Sequence, residues 1–297
     1  MRLASAVTTL AAGDLQDLYL NLRDQIEDLA QGHGGLGRVL DIPRGRRPRT
    51  DDGYFEHLTW TVFKSGLTSV VVNRKWENFR RAFAGFSVPA VAKFANRDVR
   101  RLVQDRGIIR YRAKIEATID NAREMLVVRE AFGSFRRYLR RFAREEQGLL
   151  YADLRRRFRH LGPYTVRTFL RRSGEDIFFA HPDTLRVLYR LGLTSGPRAP
   201  DDEVGRAHAR LVAANAGARL DEVNRLLTRH GSGYELADAI CDTPPKCHRC
   251  RLSHWCWYYR EVRGQRSTPL CPRLKRPGCG KYVSPCASFP AGMVFIT

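Results

Sequence analysis

Lysine is scarce in this chain. Its 297 residues hold only seven, at Lys64, Lys75, Lys93, Lys114, Lys246, Lys275 and Lys281, and none falls between Lys114 and Lys246. Long apolar runs are missing too: nothing approaches the roughly 20 residues a membrane-spanning helix needs. The opening MRLASAVTTLAAG makes a poor signal peptide, because its apolar stretch is short and broken by threonines. An intracellular, cytoplasmic protein is the expectation, and there clustered cysteines are metal ligands more readily than disulfides. Strand-like sequence is confined to Val70-Val-Val72, flanked by helical patterns, so it reads as buried helix. There is no internal repeat and no low-complexity tract before residue 260.

What is present is arginine. Lys and Arg total 52 against 31 Asp and Glu, a formal charge of +21, and with seven lysines in that set the excess is guanidinium. A surplus of this size suits a polyanion, with DNA or RNA first in line, and arginine is the residue that meets phosphate bidentately. A solvated basic surface is the competing explanation. Hydrophobic residues at 43% are enough for a real core, and the length allows one large domain or two lobes.

The periodicity is helical almost throughout. Residues 13–31 carry apolar positions at helical spacing; a Gly/Pro/Arg loop follows, with a basic cluster from Arg44 to Arg49. Asn96 is a plausible helix cap, Val99, Leu102 and Val103 an apolar face, and Gly107 a stop. Phe132, Phe135, Leu139 and Phe142 fall at helical spacing as one buried stripe, with Arg136, Arg137, Arg140 and Arg141 as a solvated face around it. Beyond residue 260, five prolines with scattered Gly and Arg read as an irregular tail, in which Cys271, Cys279 and Cys286 stand as free thiols.

Four of the seven cysteines, Cys241, Cys247, Cys250 and Cys256, lie in one short stretch spaced C-x5-C-x2-C-x5-C. Four thiolates this close can hold a [4Fe–4S] cluster or a structural zinc. Zinc sites usually separate two knuckles by a longer insert, so the compact loop favours the cluster. His248 and His254 are alternative ligands, and Trp255 to Tyr259 form an aromatic run able to shield the group or anchor the segment.

Two stretches carry a family resemblance. SGLTSVVVNRKWENF, LVQDRGIIRYRAKIEA and NARE, within residues 55–124, closely resemble the bacterial type I 3-methyladenine DNA glycosylases. Downstream, LGPYTVRTFL, HPDTLRVLYRLGL and the cysteine loop resemble, in order, the helix-hairpin-helix, catalytic-acid segment and iron–sulfur loop of endonuclease III and the adenine-mismatch glycosylases. The first cysteine gap is one residue shorter than in endonuclease III. The resemblance implies an all-α, two-lobed helix-hairpin-helix fold with a [4Fe–4S] cluster loop. Its parts would be an N-terminal helix and basic loop (1–49), a helical barrel (50–172), a second lobe (173–240), the cluster loop (241–260) and a basic tail (261–297). It also implies a monomer whose partner is double-stranded DNA containing a modified base, with no membrane, in the nucleoid. The target nucleotide would be flipped out of the duplex to expose its glycosidic carbon.

The same resemblance places the chemistry. Bifunctional relatives have a Schiff-base lysine where this chain has Tyr164, which implies a monofunctional enzyme that leaves an abasic site. The superfamily's catalytic aspartate falls on His181, with Asp183 two residues on; a carboxylate there stabilises an oxocarbenium-like sugar, while a neutral imidazole acts as a base toward water. Asp183 also fits a helix N-cap. Type I methyladenine enzymes read the base with a glutamate and a tryptophan, which match Thr61 and Ser69 here, and their zinc ligands have no evident counterparts. Glu56, His57, Trp60 and Lys64 are further base-pocket candidates. For DNA, the candidates are Gly162, Thr165 and Arg167 at the hairpin, where a helix N-terminus offers N–H groups to phosphate, although His160 stands where a second glycine is usual. Arg110, Tyr111, Arg112 and Lys114 match the wedge region, and Arg249 and Arg251 lie on the cysteine loop. A glycosylase for a bulky or phage-type modified base, and an inactive DNA-binding protein on the same scaffold, are the alternatives.

Overall fold

The N-terminal amphipathic run forms α1 (Ala12–Ala30) in a computed structural model that describes residues 9–41, 45–233, 236 and 238–263. Leu15, Leu18, Leu22 and Ile26 recur on its inner face and are buried. The following segment, expected as loop, contains a short helix, α2 (Gly35–Leu40), entered through left-handed Gly34 and held by buried Leu36 and Val39. Two apolar residues on one face were enough to close it once α1 and a later helix offered a wall.

A first group of helices follows: α3 (Asp51–Lys64), α4 (Ser69–Arg74), α5 (Trp76–Ala82), α6 (Val88–Ala92), α7 (Asn96–Gln104), α8 (Arg112–Phe132), α9 (Phe135–Leu139), α10 (Gln147–Arg157) and α11 (Pro163–Arg172). α3 starts where Thr50 Oγ1 accepts from Gly53 N at 3.2 Å. Its first-turn acids stitch neighbours to it, Asp52 accepting from Val88 N at 2.8 Å and Asp51 from Phe135 N at 2.9 Å. The Val70–Val72 run is helical, in α4, but not buried as expected: Val70 is 61% and Val71 43% exposed, and only Val72 reaches the core. Asn96 is the first residue of α7 rather than its cap; Asp98 holds the free N–H of Ala95 at 3.0 Å, and the helix ends at Gln104, short of Gly107. The phenylalanine stripe is not one helix either. Left-handed Gly133 ends α8 and Ser134 caps α9, so Phe132 and Phe142 are only half-buried while Phe135 and Leu139 are core.

A second group, α12 (Pro182–Leu191), α13 (Asp201–Ala213) and α14 (Leu220–Ser232), packs together and against α1 and α2. No strand occurs among the described residues. The groups meet where α10 crosses α13 at buried Gly148: a Cβ there would lie 2.2 Å from the Asp202 backbone nitrogen. The cysteine loop returns to α1, with Arg251 N donating to Gln25 Oε1 at 3.0 Å. The expected irregular tail with Cys271, Cys279 and Cys286 lies outside the described residues.

Candidate active site and cysteine loop

The residues nominated for catalysis line one cavity of about 700 Å³. Tyr164, in the first turn of α11, forms part of its wall, 61% exposed and 6.1 Å from the Phe179 ring. His181 and Asp183 come from the start of α12. His181, not Asp183, is the N-cap; its Nδ1 lies 3.4 Å from Asp183 N and 3.0 Å from Asp183 Oδ2. The two contacts ask opposite states of Nδ1, a lone pair toward Asp183 N–H and a proton toward Asp183 Oδ2; the shorter one is a hydrogen bond only in the tautomer with the proton on Nδ1. Nε2 is then the acceptor of the ring. Asp183 is held from its other side by Arg186, whose Nη1 lies 2.8 Å from Oδ1. Arg186 in turn donates to the carbonyls of Gly231 (2.8 Å) and Cys241 (3.1 Å). Asn224 completes the wall, accepting from Phe179 N at 3.1 Å.

The base-pocket candidates lie apart from that cavity's lining, except that Lys64 Nζ sits 5.9 Å over the Tyr164 ring. Thr61 is buried and donates its hydroxyl to His57 O at 2.9 Å. Trp60 donates to Asn73 Oδ1 at 2.8 Å, and the Arg172 guanidinium lies 3.9 Å from its ring centre. His57 is held at about 4, first by burial and then by Arg172, with Nδ1 3.3 Å from Ser173 Oγ. Glu56 accepts from Trp76 Nε1 at 2.9 Å. Ser69 is exposed at the start of α4.

The DNA candidates divide by burial. Gly162 caps α11, and its N–H is taken by Thr165 Oγ1 at 2.6 Å. The left-handed turn residue is His160, at φ 60°, the position where a glycine was expected. Arg110 and Tyr111 are exposed, and Arg112 is exposed but paired with Glu116 at 2.8 Å. Lys114 and Arg167 depart from the expectation of phosphate contact. Lys114 is 9% exposed and donates to the carbonyls of Phe63 (3.2 Å) and Ser65 (2.5 Å), closing the end of α3, and burial lowers its pKa. Arg167 is 5% exposed, bonded to Pro163 O and Asp201 and lying 4.7 Å from the Tyr151 ring centre. Arg249 and Lys246 both pair with Asp238, and Arg251 with Asp28, so the loop's cations tie it to its surroundings.

Cys241, Cys247, Cys250 and Cys256 line one small pocket. Burial, then the neighbouring cysteines, pushes the Cys250 thiol up and the Cys256 thiol to about 12. Arg190 Nη1 lies 3.4 Å from Cys241 Sγ, and His230 Nε2 lies 3.6 Å from Cys250 Sγ. Among the described residues no three His, Cys, Asp or Glu gather tightly enough for a single metal ion. The four cysteines share the lining of that pocket, with Arg190 beside Cys241 and His230 beside Cys250, and four thiols are the donor chemistry that a cluster takes.

Sequence reasoning missed Arg186, Asn224, Arg172 and Arg190. Asn224, Arg172 and Arg190 meet partners far along the chain, which no local spacing signals, whereas Arg186 stands three residues after Asp183, an i,i+3 spacing that could have flagged it.

The molecule so defined is an arginine-rich helical protein with a helix–turn–helix (α10–α11) beside an interhelical cavity. Residues 44–154 match the family model described as methyladenine glycosylase. DNA-3-methyladenine glycosylase 1 of Escherichia coli is 45% identical over 80 residues, covering 27% of this chain and 43% of that protein. The DNA-3-methyladenine glycosylase of Haemophilus influenzae is 33% identical over 81 residues, covering 27% and 44%. The chain thus spans less than half the length of these relatives. Among solved structures, 3-methyladenine DNA glycosylase I from Staphylococcus aureus aligns with 46% of this chain and 83% of its own, at 26% identity and a TM-score of 0.40. No helix among the described residues is long and apolar enough to cross a membrane.

Proposed function

We propose that the protein is a monofunctional DNA glycosylase, which flips a modified base from duplex DNA and leaves an abasic site. The observation that carries this reading is the meeting of Tyr164, His181 and Asp183 at one cavity, in a chain whose residues 44–154 match methyladenine glycosylases. In this reading His181 and Asp183 act as a pair. Asp183, fixed by Arg186, orients His181 through Nδ1–H, leaving Nε2 to take a proton from the attacking water. The carboxylate adds negative potential where the sugar becomes cationic. Tyr164 has no amine, so no Schiff base with the sugar forms through it, and water completes the reaction.

The substrate reading favoured here is an altered base other than one read by the relatives' glutamate and tryptophan. Thr61, at the first of those positions, has its hydroxyl engaged by His57 O, and Ser69, at the second, is exposed. Cys241, Cys247, Cys250 and Cys256 would hold a [4Fe–4S] cluster. Bound there, the cluster supplies a structural clamp between the loop and α12, because four thiolates leave no ligand position for water. Iron and sulfide analysis of purified protein is expected to give about four of each per chain, and Cys250→Ser to lose them.

Mass spectrometry of bases released from alkylated, oxidised and otherwise modified duplexes tests the activity. Wild type releases a base and leaves an alkali-labile site without nicking the strand by itself. His181→Ala and Asp183→Asn each reduce single-turnover release by roughly 10²-fold or more, within the range for a lost acid–base group, and the double variant is little worse than either. Failure of the wild type to release any base from a broad panel overturns the enzyme reading in favour of a DNA-binding protein.

A further inference from the structure

Away from the catalytic cavity, a second pocket of about 240 Å³ opens where α9 and the start of α10 face the 174–176 loop and the beginning of α14. Arg47, Arg136, Arg140 and Arg144 line it, with Glu175 and Asp176 as its acids. The acids are already engaged. Glu175 takes both arms of Arg47 at 3.1 Å and the hydroxyl of Tyr54 at 3.2 Å. Asp176 accepts from the N–H groups of Leu220 (3.1 Å) and Asp221 (3.2 Å), at the positive end of α14. That leaves Arg136, Arg140 and Arg144 with no side-chain hydrogen bond or ion pair among the described residues. One more group points the same way. Gln147 is 9% exposed and lines the pocket, and its Oε1 has no hydrogen-bond partner. Its amide can present either O or NH2 to a guest.

We infer that this pocket binds a phosphate group, at a site separate from the cavity that holds Tyr164, His181 and Asp183. Three uncommitted guanidinium groups supply charge and forked donors for a tetrahedral oxyanion. Gln147, with its amide turned so that the NH2 faces the anion, supplies one further donor. Leu139, Phe142, Leu150 and Leu220 supply apolar walls that lower the local dielectric and strengthen each contact. The volume equals that of about eight waters, which admits a phosphate but not a base pair. Helices from both groups form the walls, so an anion bound here bridges them.

The phosphate has two possible sources: the DNA backbone outside the cleft, or a free phosphate or phosphomonoester. The test compares full-length wild type with Arg140→Gln/Arg144→Gln, both exposed positions, and with Arg97→Gln/Arg100→Gln as a control for charge loss elsewhere. Two quantities are measured: the shift of the thermal midpoint by inorganic phosphate over chloride at equal ionic strength, and the salt dependence of affinity for undamaged duplex DNA. Phosphate is expected to raise the midpoint of wild type and control, and not of the pocket variant. If the DNA backbone is the occupant, the salt slope of the pocket variant also falls, by about 1.8 for two lost contacts. If the occupant is a free phosphate, the slope is unchanged while the midpoint effect is lost. Equal phosphate response in wild type and pocket variant overturns the proposal.

Discussion

His160 adopts φ 60° in the turn before α11, a region that strains an L-residue by about 1–2 kcal/mol. Glycine relieves that strain but gives up about 0.5–1 kcal/mol of chain entropy. His160→Gly is therefore expected to raise stability by roughly 0.5–1 kcal/mol in urea unfolding; a loss of stability would show that the imidazole has a compensating contact. Lys114 makes the opposite case. It lies in a basic segment that resembles a DNA wedge, yet its ammonium closes the end of α3. Lys114→Met is expected to cost about 1–3 kcal/mol of stability through unsatisfied carbonyls, with no change in the salt slope of DNA binding. A phosphate-contacting lysine would instead lower that slope by about 0.9. His208 lies fully buried against the Phe178 ring, and burial holds its pKa at about 4. The unfolded chain takes up this proton near pH 6.5 and the folded one only near 4. Stability from His208 is thus complete above pH 6.5 and lost as the pH falls toward 4, on the order of 3 kcal/mol across the window. Urea midpoints from pH 7.5 to 4.5 should fall more steeply in wild type than in His208→Gln.

At the scale of the helix, the sharpest constraint is the α10–α13 crossing. Gly148 sits with the backbone of Asp201 and Asp202 within 2.5 Å of where a Cβ would be. Backbone cannot swing aside as a side chain does, so Gly148→Ala must push the helices apart. A loss of at least about 1–3 kcal/mol is expected, read as a lowered thermal midpoint. An unchanged midpoint would mean that the crossing has room for a methyl group. Helix identity was legible in the sequence for the periodic segments, α1 above all, because a 3.6-residue apolar repeat suits one conformation. Ends and continuity were less so. The Phe132–Phe142 stripe kept helical spacing straight across a break, since periodicity carries no information on where Gly133 turns left-handed. The Val70–Val72 run looked like core by composition, and two of its three valines face outward because α4 is short and shows its neighbours one side only.

Over the whole molecule, two kinds of basic residue separate. Arg167, Arg190, Lys114 and Arg186 turn inward to carbonyls, carboxylates and rings, while Arg136, Arg140, Arg144 and Arg110 remain outside. Only the outer set can release counterions from DNA, so the net charge overstates the electrostatic footprint. The sequence by itself determined the helical class, the arginine surplus, the cysteine spacing and the residues that resemble methyladenine glycosylases, because each of these is written in composition or short-range order. It left open whether His181 or Asp183 acts, gave no sign of the Arg136–Arg140–Arg144 pocket, and did not show that Lys114 and Arg167 are buried. Burial and the long-range bonds were decided by tertiary structure, because both depend on which helices meet, and the groups that hold Lys114 and Arg167 come from segments tens of residues away in the chain.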